Sequence, residues 1–169
     1  MTRAAAGFLV TLAALFGCEG DLSGAEKVSL YKSIEAGHTA ELRKAFDNGV
    51  SPNLYYEDWG YLIVDAATAG NLDALKMLIR AGANVNAQGR GQTSALHISL
   101  LAGRCEQVLL LLATGAEPKK KYTNAGHDTL GPEYQDKTPR ELYVLYKERY
   151  PSLWSKSSSC WLEVEPLLK

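Results

Sequence analysis

Imidazole and thiolate groups carry much of the acid–base, nucleophilic and metal chemistry of proteins, so the three histidines and three cysteines are weighed first. His38, His97 and His127 stand in separate contexts and form no cluster. Cys18, Cys105 and Cys160 lack metal-ligand spacing. The sequence has no G-x-S-x-G elbow, no phosphate-cradling glycine loop and no H-E-x-x-H pair. It therefore nominates no catalytic residue, no metal and no cofactor, and an enzyme is the least favoured class. The unusual chemistry lies instead in "LYYEDWGY", Leu54 to Tyr61, where Tyr55, Tyr56 and Trp59 surround Glu57 and Asp58. Large amphipathic rings held at fixed positions concentrate binding energy at interfaces. The alternative is that they fold back over a neighbouring helix, because an exposed ring and a packed ring look alike in sequence.

Composition limits the partners. With 46% apolar and 22% charged residues the chain can bury a core, and a net charge of −1 argues against a broad claim on nucleic acid. Lys119, Lys120 and Lys121 form a basic run that reads as a solvated loop edge. The first residues differ from the rest. Arg3 precedes "AAAGFLVTLAALF", Ala4 to Phe16, an uncharged run shorter than the roughly 20 residues a spanning helix needs. Residues 1–17 thus read as a secretory signal, and "LFGC", Leu15 to Cys18, resembles a bacterial lipobox with Cys18 as the lipidated residue; the alternatives are a plain signal peptide cut nearby or a buried N-terminal helix. Residues 18–24 would then be the lipidated N-terminus and its linker. Acyl chains contribute about 0.8 kcal/mol per buried methylene, so such an anchor is long-lived. Glu19 after the cysteine favours the outer membrane, facing the periplasm. In that oxidising compartment Cys105 and Cys160 are able to pair. Alternatively, Cys105 is a small core residue on a helix.

The elements that must position the aromatic stretch are visible as a repeat. Gly37, Gly70 and Gly103 are 33 residues apart, and so are Gly49, Gly82 and Gly115. Apolar columns keep the same interval: Leu30, Ile63 and Leu96; Leu42, Leu75 and Val108; Phe46, Ile79 and Leu112. Between the glycines, spacings of three and four, as in Leu72, Leu75, Leu78 and Ile79, predict short amphipathic helices. Each glycine can supply the left-handed backbone that ends a helix. One pair of short helices cannot bury enough surface alone, so neighbours must stack.

This period, with "GANVN" at Gly82 to Asn86 and the partial motif Ser94-Ala95-Leu96-His97, resembles the ankyrin-repeat family. The resemblance implies an all-α solenoid of about four helix-turn-helix units after the signal segment. The repeat domain would span 25–155, with units at about 25–57, 58–90, 91–121 and 137–155. It also implies that His97 hydrogen-bonds neighbouring turns. Ser23 with Glu26 and Thr138 with Glu141 have capping-box spacing and predict the first and fourth inner-helix starts, the fourth ending near Tyr150 before Pro151. Ser94 to Thr138 is 44 residues rather than 33, so a polar loop at 119–136 is inserted. Residues 156–169 read as an irregular capping tail, with Trp154, Trp161 and Leu162 covering the last apolar face.

The resemblance further implies a row of turns projecting as fingers along one edge. The first would carry Tyr55, Tyr56, Glu57, Asp58 and Trp59, and the second Arg90. The long loop would add Tyr122, His127 and Tyr134, and the groove face of the inner helices Glu35, Thr68 and Leu101. The finger and loop residues together with Leu101 are the expected partner-binding residues. Similarity to small bacterial periplasmic ankyrin lipoproteins implies a protein partner and a chain monomeric when free. The specific expectation is an immunity protein that occludes the active site of a secreted antibacterial lipase or phospholipase. The alternative is a periplasmic scaffold or stress-protection protein.

Overall fold

The computed structural model describes residues 22–57, 60–89, 92–121, 134, 136–152 and 158–169. Helix α1 spans Gly24–Ala36, α2 Thr39–Asp47, α3 Leu62–Ala69, α4 Leu72–Arg80, α5 Ala95–Leu101, α6 Cys105–Ala113, α7 Pro139–Arg149 and α8 Ser158–Leu167. Strands β1 (Tyr55–Tyr56) and β2 (Gly60–Tyr61) form an antiparallel hairpin between α2 and α3. Contacts sort the helices into two layers. The inner layer runs α1, α3, α5, α7, and the outer layer α2, α4, α6, α8. This is a helical solenoid of stacked pairs. No helix among the described residues is long and apolar enough to cross a membrane.

Local chemistry sets the helix ends. Ser23 accepts from the Glu26 amide while the Glu26 carboxylate accepts from the Ser23 amide, and Thr138 and Glu141 repeat the arrangement with Pro139 in the first turn. The six repeat glycines all have positive φ, from 66° at Gly103 to 96° at Gly115. Substitution should separate two kinds among them. Gly82→Ala meets open space, so its cost of about 1–2 kcal/mol comes from the left-handed backbone alone. At Gly70 an added Cβ would stand 2.8 Å from Arg104 Cζ. Gly70→Ala should therefore cost about 1 kcal/mol more, through displacement of the Arg104 hydrogen bonds. Equal denaturation midpoints for the two variants would overturn this.

The core lies between the layers. Leu30, Ile63 and Leu96 pack at the inner side, and Leu42, Leu75 and Val108 at the outer side, all buried. Two ladders of side chains stitch successive units. Asn71, at the start of α4, donates Nδ2 to the Ile34 carbonyl at 2.9 Å. One repeat on, Arg104 donates to the carbonyls of Ala67 and, at 3.0 Å, Thr68. At the opposite ends of the outer helices, Asn53 donates to Gly82 O (3.2 Å) and accepts from the Asn84 amide (2.7 Å). Asn86 repeats this on Gly115 O (2.9 Å) and the Glu117 amide (2.8 Å). An amide side chain both donates and accepts, so one asparagine fixes a turn of the next unit in register. The next position in the column is Lys119, which has no acceptor, and the ladder stops there.

His97 is completely buried. Its Nε2 lies 3.0 Å from the Lys120 carbonyl and Nδ1 lies 2.7 Å from Ser94 Oγ. A carbonyl only accepts, so Nε2 carries the proton and Nδ1 accepts from Ser94. Burial pushes its pKa down to about 4, with the nearby Lys120 charge acting in the same direction and the Lys120 carbonyl opposing it. The imidazole is a neutral brace between α5 and the turn after α6.

The C-terminal tail corrects the sequence reading. It is not irregular: α8 packs on α6 as a fourth outer helix. Trp161, Val164 and Leu168 are buried, and Trp161 meets Tyr143 at 5.6 Å between ring centroids. Leu162 covers nothing; it is 72% exposed, because the next residue along a helix points about 100° away from the buried stripe. Trp154 lies outside the described residues. Cys105 in α6 and Cys160 in α8 are joined as a disulfide across a Cα separation of 6.1 Å.

Candidate functional site

The first finger is the β1–β2 hairpin, with Tyr55 opposite Tyr61 and Tyr56 opposite Gly60. Adjacent residues of a strand point to opposite faces, and this divides the aromatic run. Tyr55 is 45% exposed, and its ring meets Tyr61 edge-on at 5.0 Å. Tyr56 turns inward and is half-buried, 6.2 Å from Tyr31 of α1 and beneath the Lys27 ammonium at 6.0 Å. Tyr31 itself is fully buried and donates its hydroxyl to the Gly60 carbonyl, which fastens β2 to α1. Glu57 is exposed at the tip. Asp58 and Trp59 lie outside the described residues.

The second finger repeats the first one period later. Gln88 bridges Ser94 in antiparallel register, as Tyr55 does Tyr61, and Gly89 N donates to Thr93 O at 2.9 Å. Its Gly89 packs near Val64 of α3. Arg90 falls outside the described residues, as do Tyr122 and His127 of the long loop, and Cys18 with the whole N-terminal segment.

Two expected contact residues belong elsewhere. Tyr134 is only 5% exposed and forms a small core with Leu142, against which Leu101, Leu145 and Tyr146 pack. Its ring stands 5.3 Å from Tyr146. Leu101 is half-buried in that cluster rather than presented in the groove, since α7 stacks against α5 there. Glu35 and Thr68 are exposed, and the Thr68 hydroxyl donates to Val64 O of its own helix at 2.9 Å.

Sequence reading missed Asp65. This carboxyl is buried on α3, its Oδ2 has no hydrogen-bond partner, and burial, reinforced by the Glu35 charge, raises its pKa to about 7. The available signal was the column itself: Lys32, Asp65 and Ile98 are one repeat apart, and Asp65 alone of the three is acidic.

Two hairpin turns thus stand one period apart along the edge of the inner helices. The family described as "Ankyrin repeats (many copies)" matches residues 63–112. The human SH3 and multiple ankyrin repeat domains protein 1 is 28% identical over 90 residues, 52% of this chain but 4% of that protein. The human Notch-regulated ankyrin repeat-containing protein is 27% identical over 99 residues, 56% of this chain and 82% of that one. The fold is that of an all-α ankyrin-repeat solenoid. Its repeats point to a protein–protein binding module.

Proposed function

We propose that this chain is an exported, membrane-anchored immunity protein: it binds a secreted antibacterial enzyme of lipase or phospholipase type and occludes its active site. The observation that carries the reading is the first finger, which holds Tyr55 outward on a hairpin fastened to α1 by Tyr31. A braced, exposed aromatic anchor loses little freedom on binding. The inhibitor fills the enzyme's cleft with its fingers and excludes water and substrate over an interface of about 1,600 Å² or more. Export is supported by the charged-then-apolar start of the sequence and by the α6–α8 disulfide, since such bonds persist in oxidising compartments. Anchorage through Cys18 to the outer membrane keeps the inhibitor at the surface a lipolytic enzyme attacks.

The test is genetic and then physical. Deleting the gene should make cells sensitive to an exported lipolytic enzyme encoded beside it, and the purified pair should form a tight one-to-one complex that lacks lipolytic activity. Cells that stay healthy without the gene, or an enzyme whose activity the protein leaves untouched, would favour the scaffold reading. Within the complex, Tyr55→Ala should weaken binding by about 2 kcal/mol, roughly 30-fold, with an unchanged circular dichroism spectrum. Tyr56→Ala should instead lower thermal stability, because that ring packs on α1.

A further inference from the structure

The Cys105–Cys160 bond joins two outer helices and also lines a surface cleft of about 290 Å³. The cleft lies between the α3–α4 turn and the start of α6, and Gly70, Gly103, Arg104 and Glu106 share its wall with the disulfide. The two glycines add no side chain to that wall. The sulfur-bearing residues are unequal. Cys105 is 4% exposed, whereas Cys160 is half-buried and faces the same opening. Their surroundings favour negative charge on sulfur. Cys105 opens α6 and Cys160 lies in the first turn of α8, and the unpaired amides of a helix start stabilise a thiolate. Arg104 adds its guanidinium, still cationic while it donates to the Ala67 and Thr68 carbonyls. A disulfide exchanges fast when an attacker can reach one sulfur and the other leaves as a stabilised thiolate. Here the reachable sulfur is that of Cys160, and the leaving one is that of Cys105, next to Arg104.

We propose that this bond is a thiol-exchange site, open in the folded chain to a protein dithiol of Cys-x-x-Cys type. The attacking thiolate bonds to Cys160 Sγ, the Cys105–Cys160 bond breaks, and its electron pair leaves on Cys105 Sγ, which takes up a proton. The second thiol of the reagent loses its proton and attacks the reagent's own sulfur in the mixed disulfide. That closes a disulfide in the reagent and releases Cys160 as a thiolate, which is protonated in turn. Two electrons and two protons thus pass to this chain. Packing of Trp161 on Tyr143 and the exposed Lys147–Glu165 pair remain, but the covalent tie of α8 to α6 is gone. Exchange makes α8 a releasable cap. This inference stands apart from the immunity reading and does not depend on it.

The test treats the oxidised full chain in native buffer with two monothiols, cationic cysteamine and anionic mercaptoethanesulfonate. Adducts are trapped by acid and located by peptide mass. The first adduct should sit on Cys160 with Cys105 free. Its rate should rise in proportion to thiolate concentration and stay unchanged in urea below the unfolding transition. Glu106→Gln removes an exposed negative charge from the cleft wall, so the cationic-to-anionic rate ratio should fall roughly threefold at low salt. Reduced thioredoxin should open the bond without denaturant. A rate that levels off whatever the thiol, or climbs steeply with urea, means that the bond is reached only by unfolding and overturns the site. A first adduct on Cys105, a ratio indifferent to Glu106→Gln, or a bond that thioredoxin leaves intact overturns it equally.

Discussion

Cys160→Ser will lower the stability of the oxidised chain by about 4 kcal/mol, the largest effect expected of any single change described here. The bond links residues 55 apart and restricts the unfolded chain over that whole span, which includes the inserted loop. A longer loop loses more freedom when closed, and hence the bond contributes more. In the native state it also holds α8 against α6, burying Trp161, Val164 and Leu168. Chemical denaturation with and without a dithiol reductant checks this directly. Reductant should bring the parent chain down to the level of Cys160→Ser and leave the variant unmoved. If the two denature together under oxidising conditions, the bond does not stabilise the fold. In Cys160→Ser and in the reduced parent, loss of structure should begin in α7 and α8, reported by Trp161 fluorescence before the helical signal of the middle units falls.

His97→Ala will cost about 3 kcal/mol at pH 7.5, through a core cavity and two stranded groups, the Lys120 carbonyl and the Ser94 hydroxyl. The cost depends on pH with a definite sign. The folded imidazole has a pKa of about 4, pushed by burial below its ordinary 6.5. The unfolded chain therefore binds the extra proton first on acidification. His97 contributes its full stability above pH 6.5 and loses it progressively as the pH falls toward 4. The gap between parent and variant should narrow over that window. Asp65 titrates in the opposite sense, since its raised pKa strengthens the fold as pH falls from 7 toward 3.8. The parent's own pH profile should therefore be flatter than that of Asp65→Asn, where only the His97 loss remains. A gap between parent and His97→Ala constant from pH 7.5 to 4.5 would contradict the assigned neutral tautomer.

What the sequence disclosed follows from which constraints are local. Left-handed glycines and capping boxes act within a few residues, so Gly37, Gly70, Gly82, Ser23 and Thr138 announce their roles directly. The apolar columns are equally plain, because each unit must meet the next at the same places. The tail was obscured by Pro166 and three serines, although Trp161, Val164 and Leu168 already had helical spacing. Tyr134 was unreadable for another reason. A lone tyrosine in a polar loop gives no sign that Leu142 and Tyr146 are waiting for it. The division between Tyr55 and Tyr56 needed the hairpin register, which adjacent tyrosines do not specify. The asparagine ladder could have been found, since Asn53 and Asn86 are one period apart, but its partners lie 29 and 31 residues away.

The two extremities of this molecule are unequal. At the carboxyl side a covalent cross-link sews α8 to its neighbour, whereas at the amino side α1 and α2 are kept by packing, by the Tyr31 hydroxyl on the Gly60 carbonyl and by Asn53 and Asn71, all of them non-covalent ties. Thermal fraying therefore has a preferred direction: it starts with α1 and runs inward. The Tyr55 hairpin is tied to that end through Tyr31, so a bound partner gripping the hairpin would hold α1 as well, and amide exchange in α1 should slow most on complex formation.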